Sequence, residues 1–372
     1  MNLFGLASRN LKRRPVRTSL SILGVGLAVG SALALMSLSR SIDASTREGF
    51  DEMGDDLVVM QKGASDIFGG FIPEDTVERV AAVAGVARAA GELFMFAPAG
   101  NERSLLTQGW ADGSYLWKKV PLREGRVPGA GERAVAVLGE GAAASLGKKL
   151  DDSVEIFGQK FNVIGIANYT STINRGLVLL PLTDLQAASL RPHQVTVIHV
   201  NTARGTPPAD TGRVKGAIDA LGGLSAATAD EVLSKDRNFK ILDAVSLAIS
   251  IIAVLMGAIY VLNALIMATQ ERTREIGVFA AIGWSKRLIM ASIVVEGVLL
   301  CVAGCVLGLG LSFAASLAFP HIPAIGDLVS FKPNAALIVP TLAAALLLCV
   351  AGSLLPAWRA VRMLPAEALR RL

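Results

Sequence analysis

The stretch "GEGAAASLGKKL", residues 139–150, has the glycines and lysines of a loop that cradles nucleotide phosphates, but such a loop needs four residues between its two glycines and then Lys-Ser/Thr. Here five residues separate Gly141 from Gly147, and Lys148 is followed by Lys149 rather than by a hydroxyl. The match fails in spacing and in identity. Metal chemistry fares no better. Cys301 and Cys305 share a helix face and Cys349 is the remaining thiol, but all three fall in apolar runs without other soft ligands, which suits small packing residues. His193, His199 and His321 are equally unpromising, with no clustered nucleophile, metal set or acid pair around them. The expectation is a chain with no catalytic residue, no metal site and no cofactor of its own.

Two polar features remain. The first is "ATQERTREIGVFAAIGWSKR", Ala268 to Arg287, a charged helix-forming stretch between two oily runs. Glu271, Arg272, Arg274 and Glu275 would each be disfavoured in hydrocarbon by ~3 kcal/mol, so they belong at a surface. Glu271 with Arg274, and Arg272 with Glu275, are three apart and support a helix that also takes in Thr273 and Gly277. Ile276, Phe279, Ala280 and Gly283 form an apolar face, and Gly283 is suited to end the helix before Ser285 starts the next. The segment reads as a short helix, rigidly continuous with the preceding apolar run, shaped to seat in a groove on a partner. The second feature is Glu296, roughly 13 Å along a helix from Arg287 and therefore near mid-bilayer. A carboxylate there needs a partner or a proton. Asn263 lies at a similar depth and is the expected hydrogen-bond partner; a water-filled crevice and proton coupling are the alternatives.

The elements that must position these residues follow from composition. Of 372 residues, 52% are hydrophobic, and the mean hydropathy is +0.51. The apolar residues gather in four blocks, Ser19 to Ser39, Ala244 to Ala268, Leu288 to Phe319 and Ala335 to Ala357, each meeting the roughly 20 residues that cross a bilayer as helix. Glu296 is the one full charge within them. The expected fold class is an α-helical membrane protein with four transmembrane helices and a mixed α/β extracytoplasmic domain inserted between helices one and two.

In residue numbers this gives a cytoplasmic amphipathic segment 1–17, transmembrane helix one at 18–40, the extracytoplasmic domain with a helical stalk at 41–242 and transmembrane helix two at 243–269. A cytoplasmic coupling helix at 270–287, transmembrane helix three at 288–319, a short outer loop at 320–334, transmembrane helix four at 335–358 and a cytoplasmic tail at 359–372 complete the chain. The first apolar run exceeds the usual h-region of a signal peptide and is expected to stay as an anchor.

Arg9, Lys12, Arg13, Arg14 and Arg17 precede the first span; Arg272, Arg274, Lys286 and Arg287 lie between the second and third; Arg359, Arg362, Arg370 and Arg371 follow the fourth. The positive-inside bias therefore places both termini and the charged turn in the cytoplasm. From Asp43 to Lys240 there are 25 acidic and 21 basic residues, so the net charge of +5 comes from the membrane edges, which disfavours nucleic acid as a partner. Within the spans, Gly26 and Gly30, and Gly304, Gly308 and Ser312, place small residues four apart for close helix approach, within one subunit or at a dimer seam.

The inserted domain alternates β-rich segments, "LVVM", "ELFMF", "SLLTQGW", "RAVAVLG", "SVEIF", "FNVIGI", "LVLLP" and "VTVIHV", with helical candidates near Glu74 to Val83, Leu182 to Leu190 and Gly212 to Leu221. A hairpin is expected to turn at Gly158 and Gln159. The flanking "SRSIDASTREGFDEM" and "TADEVLSKDRNFKILDA" read as helical outward extensions of the spans.

The segment "ERTREIGVFAAIG" resembles the signature between the second and third spans of the MacB/FtsX-type permeases of ABC transporters, the mechanotransmission or type VII class. The chain is similar to that family in order through "NLKRRPVRTSLSILGVGLAVG", "AVLGEGAAASLGKKLDDSVEIFGQKFNVIGI", "RGLVLLPLTDLQ" and "LLPAWRAVRMLPAEALR". The resemblance implies a non-catalytic permease subunit in a bacterial inner membrane, whose coupling helix seats on a separate ATPase subunit that binds ATP and Mg. It also implies a second permease copy or paralogue, contact with membrane lipid, and a periplasmic adaptor or hydrolase as a further partner. The work implied is export or extraction of an amphiphile, lipid or lipoprotein. The alternative is a regulator of the FtsX sort that activates a periplasmic cell-wall hydrolase without transport.

Overall fold

The computed structural model describes residues 3–64, 68–99, 103–203, 208–235, 237–318 and 335–362. The expected outer loop at 320–334, the tail beyond residue 362 and His321 lie outside them. Helix α1 spans Leu3–Arg13 and α2 spans Pro15–Met53. Pro15 opens α2, a position where its missing N–H costs nothing. Apolar residues from Leu20 onward then give way to the polar run after Ser37 without a break in the helix.

The chain next builds an α/β unit, with strands β1 (Leu57–Gln61), β2 (Ile72–Pro73), helix α3 (Thr76–Ala81), β3 (Val86–Ala99), β4 (Arg103–Trp110), β5 (Leu122–Gly125) and β6 (Val135–Gly139). It continues through α4 (Glu140–Leu146), β7 (Ser153–Ile156), β8 (Gln159–Ala167), α5 (Thr172–Arg175), β9 (Val178–Pro181) and α6 (Leu182–Ala188). The last part holds β10 (Gln194–Val195), β11 (Val197–Thr202), α7 (Pro208–Asp219), β12 (Leu224–Ala227) and α8 (Ala229–Lys235). Among the described residues, ten strands form one mixed sheet in the order β12-β1-β11-β3-β4-β9-β6-β8-β5, with β7 pairing β3 and β8. The stretch from Gly139 to Leu150 is the β6–α4 turn and helix, closed by Gly147 in the left-handed region (φ +62°).

The sheet is apolar on both faces, which explains why Val178, Leu179 and Leu180 are all buried in succession. On β3, Leu93 joins one core with Leu57 and Val59, while its neighbour Phe94 joins another with Leu106, Trp110 and Met53, as the alternation of side chains in a strand requires. The β7–β8 hairpin turns at Phe157 and Gly158, one residue earlier than the glycine alone suggests, because Ile156 pairs with Gln159. Both turn residues have positive φ (50° and 75°), the type I′ geometry that matches strand twist.

Four helices follow or complete the other unit: α9 (Arg237–Glu271), α10 (Thr273–Ala281), α11 (Lys286–Ala318) and α12 (Ala335–Arg362). With α2, helices α9, α11 and α12 are long and apolar enough to cross a membrane. Glycines set how closely α2 and α11 approach within this chain. A Cβ on Gly308 would come within 2.9 Å of the Gly26 carbonyl oxygen and of Val29 Cβ, and one on Gly30 within 3.0 Å of the Gly308 carbonyl oxygen. The small-residue spacing is thus used inside one subunit.

Candidate functional site

The charged turn is built around a break. Arg272 (φ −108°, ψ 18°) leaves helical geometry, so α9 ends at Glu271 and α10 begins anew at Thr273. The expected rigid continuity is therefore interrupted. The Thr273 hydroxyl donates to the carbonyls of Gln270 (2.8 Å) and Thr269 (3.2 Å), satisfying acceptors of the last turn of α9. At the far end Gly283 takes φ +97°, its N–H donating to Ala280 O (3.2 Å) and the Trp284 N–H to Phe279 O (3.0 Å). This is a Schellman cap, completed by Trp284 stacked on Phe279 with ring centroids 4.6 Å apart. The Ser285 hydroxyl then accepts from Leu288 N–H and starts α11.

The apolar face differs from the expected one in what it meets. Ile276, Ala280 and Trp284 pack against the buried core of the helix unit, and Gly277 is buried. The side left open carries Glu275, Val278 (40% exposed), Ile282 (71% exposed) and Gly283. A partner would meet that side, because the inner face is already used by the chain's own packing. The Arg274 side chain lies outside the described ones.

Ion pairs tie the turn to its neighbours. Glu271 accepts from Arg17 Nη1 at 2.9 Å and pairs with Arg14 at 3.3 Å, which joins the end of α9 to the start of α2. Arg272 pairs with Glu275 at 3.9 Å and reaches Glu296 Oε2 at 3.4 Å. The partner of Glu296 is thus Arg272 and not Asn263. Asn263 lines a different cavity with Arg17, Tyr260 and Glu271. Glu296 and Arg272 instead line a polar cavity of about 260 Å³ with Asn10, Thr269 and Ser292.

The α/β unit holds a second polar assembly, centred on a histidine that the sequence offered no reason to single out. His199 is 4% exposed. Its Nδ1 lies 2.7 Å from Asp55 Oδ2 and its Nε2 lies 3.1 Å from Glu92 Oε2. Trp110 Nε1–H donates to the same Glu92 oxygen at 2.6 Å, while Tyr115 and Lys119 donate to Asp55. Burial of the ring works against its charge, but Glu92 and Asp55 on either side outweigh it and push its pKa up to about 10. Burial likewise works to raise Asp55, yet His199 and Lys119 hold it below its ordinary value. The only sequence signal was a histidine inside the apolar run "VTVIHV".

The same unit grips the end of α2. Glu52 accepts from the backbone N–H groups of Thr170 and Ser171 and from Asn174 Nδ2; the Ser171 hydroxyl donates to Ser45 O, and Asn174 Nδ2 donates to Gly49 O.

The family model of the MacB-like periplasmic core domain matches residues 18–221, and that of the FtsX-like permease C-terminal region matches residues 247–365. The chain belongs to the MacB/FtsX family of ABC transporter permeases. An uncharacterised ABC transporter permease of Mycobacterium tuberculosis is 28% identical over 329 residues, which is 86% of this chain and 88% of that one. The macrolide export ATP-binding/permease protein MacB of Rhodospirillum rubrum is 26% identical over 396 residues, 98% of this chain but 59% of its own length. The crystal structure of the periplasmic region of MacB from Actinobacillus actinomycetemcomitans is similar over 50% of this chain and 93% of its own, at 13% identity and a TM-score of 0.40. The charged turn of this permease falls within the FtsX-like match, and the His199 assembly within the core-domain match.

Proposed function

We propose that this permease carries motion from an ATPase subunit to its α/β domain, with α10 as the docking element and α2 as the transmitting one. The observation that supports this is the anchoring of α2 at both ends. Arg14 and Arg17 tie its start to Glu271 beside the docking turn, and Ser45, Gly49 and Glu52 hold its end to residues 170–174. A 39-residue helix held at two ends displaces as a strut, since its backbone hydrogen bonds resist local bending. In this reading the ATPase is a separate subunit that binds ATP and Mg, and the basic edges support a cytoplasmic turn and cytoplasmic termini. The work done is export or extraction of an amphiphile, lipid or lipoprotein by a pair of permease chains, with a periplasmic adaptor.

Replacing the open side of α10 in Val278→Asp/Ile282→Asp tests the docking. The chain stays folded, because both side chains project outward, and the ATPase no longer copurifies. Undiminished copurification contradicts the assignment of α10. Thiol labelling tests the orientation: a cysteine at Gly129 reacts from outside the cell and one at Lys286 only after the membrane is opened, and the reverse pattern contradicts it.

A further inference from the structure

Along the end of α2, Ile42, Thr46, Gly49, Phe50 and Met53 recur at helical spacing and face the sheet. The sheet offers them one side of β3, β4 and β11. Glu92, Phe94 and Phe96 share a face of β3, Leu106 and Gln108 lie opposite Phe96 and Phe94 on β4, and Val197 and His199 share a face of β11. Two small residues, Thr46 and Gly49, stand where larger ones would close the gap. Space at Gly49 is tight, since a Cβ there would lie 3.1 Å from Asn174 Oδ1. The result is a cavity of about 230 Å³. An apolar cavity of ~150 Å³ already takes a benzene ring, so this one has room for a longer aliphatic segment.

The cavity is not uniformly apolar. Phe96, half exposed, marks its open side, and the buried side carries Glu92, Gln108 and His199. Glu92 and His199 satisfy one another, but Gln108, only 6% exposed, leaves Oε1 without a hydrogen-bond partner. A buried carbonyl oxygen without a donor is costly, and such atoms in folded proteins ordinarily have a partner. A donor that reaches Gln108 Oε1 from the cavity lies beside Phe94 and Phe96, which line it.

We propose that this cavity is a binding site for an aliphatic amphiphile whose chain lies between α2 and the sheet and whose hydroxyl or amide N–H donates to Gln108 Oε1. A carboxylate in that place would bring like charge against Glu92, so fatty acids are selected against. The site stands independently of ATPase docking; it rests on the proposed function only for the idea that its occupant is cargo.

The test uses the full chain in lipid nanodiscs without any ATPase, so that its outcome does not depend on docking. The probe is a twelve-carbon alcohol carrying a photoreactive diazirine, with crosslinks mapped by mass spectrometry. Crosslinks are expected in the segments 42–53 and 94–108, competed by dodecanol but not by dodecanoate. Gln108→Leu, which keeps the volume and removes the acceptor, is expected to lower the alcohol's competition about fivefold, the worth of one hydrogen bond. Leu106→Trp, which fills the cavity, removes the labelling; should that variant fail to fold, Gln108→Leu alone still decides. Labelling confined to the apolar helices, or labelling of the cavity that dodecanoate competes as well as dodecanol, overturns the proposal.

Discussion

The guanidinium of Arg272 lies 3.4 Å from the Glu296 carboxylate, so the residue that breaks the path from α9 to α10 also closes the ion pair on α11. The pair offsets a charge within an apolar helix.

Removing one member leaves the other charge buried, which costs about 3 kcal/mol or more where water is scarce. Arg272→Met is therefore expected to lower the thermal midpoint of the detergent-solubilised chain, whereas Arg272→Met/Glu296→Leu recovers much of the loss. A double variant no more stable than the worse single one, read by differential scanning fluorimetry, contradicts the pairing.

The α2–α11 seam makes a contrast between two glycines of one helix. Gly308→Ala forces a methyl against Gly26 O and Val29, an overpacking expected to cost about 1–3 kcal/mol. Gly310, which has nothing within 4 Å of a Cβ, tolerates the same change and gains helix propensity. Equal melting shifts for the two alanine variants contradict the seam.

The His199 assembly makes the permease's stability depend on pH. The folded pKa is raised to about 10 above the ordinary value of about 6.5, so the stabilisation is complete below the unfolded value and is lost as pH rises through the folded one. Asp55, depressed when folded, acts in the opposite sense: its contribution is present above the unfolded carboxylate value and lost as pH falls through the folded value. The thermal midpoint should fall steadily from about pH 7 to pH 10, and His199→Gln should flatten that slope while lowering the midpoint at pH 7. An unchanged slope in the variant contradicts a charged imidazolium at this position.

Much of this architecture is legible from periodicity. The eight β-rich segments all hold strands of the sheet, with Val195 of "VTVIHV" set apart in the small β10–β2 pair, and the four apolar blocks form helices, because both signals are local. What was not legible depends on partners distant in sequence. His199 meets Asp55 and Glu92 only because β11 lies between β1 and β3, with Val58 and Ala90 as its neighbours in register. Counting depth along helices placed Asn263 level with Glu296, but rotation about the helix axis turns Asn263 toward the Arg17 side, and a long arginine released by the break at 272 reaches inward instead. On α10, Ile276 and Ala280 pack on the core of the chain's own helix unit while Gly283 of the expected face is exposed, and sequence alone does not tell packing against the chain's own helices from packing against a partner.

Transmission of displacement along α2 to the α/β domain is read out by the distance between spin labels at Lys160→Cys on two permease copies, measured by pulsed electron resonance with the ATPase nucleotide-free and ATP-trapped. A nucleotide-dependent shift is expected in the parent complex. Glu52→Ala/Asn174→Ala, which releases the end of α2 from residues 170–174, is expected to abolish the shift while ATP hydrolysis continues. A shift of the same size in the released variant would contradict the account.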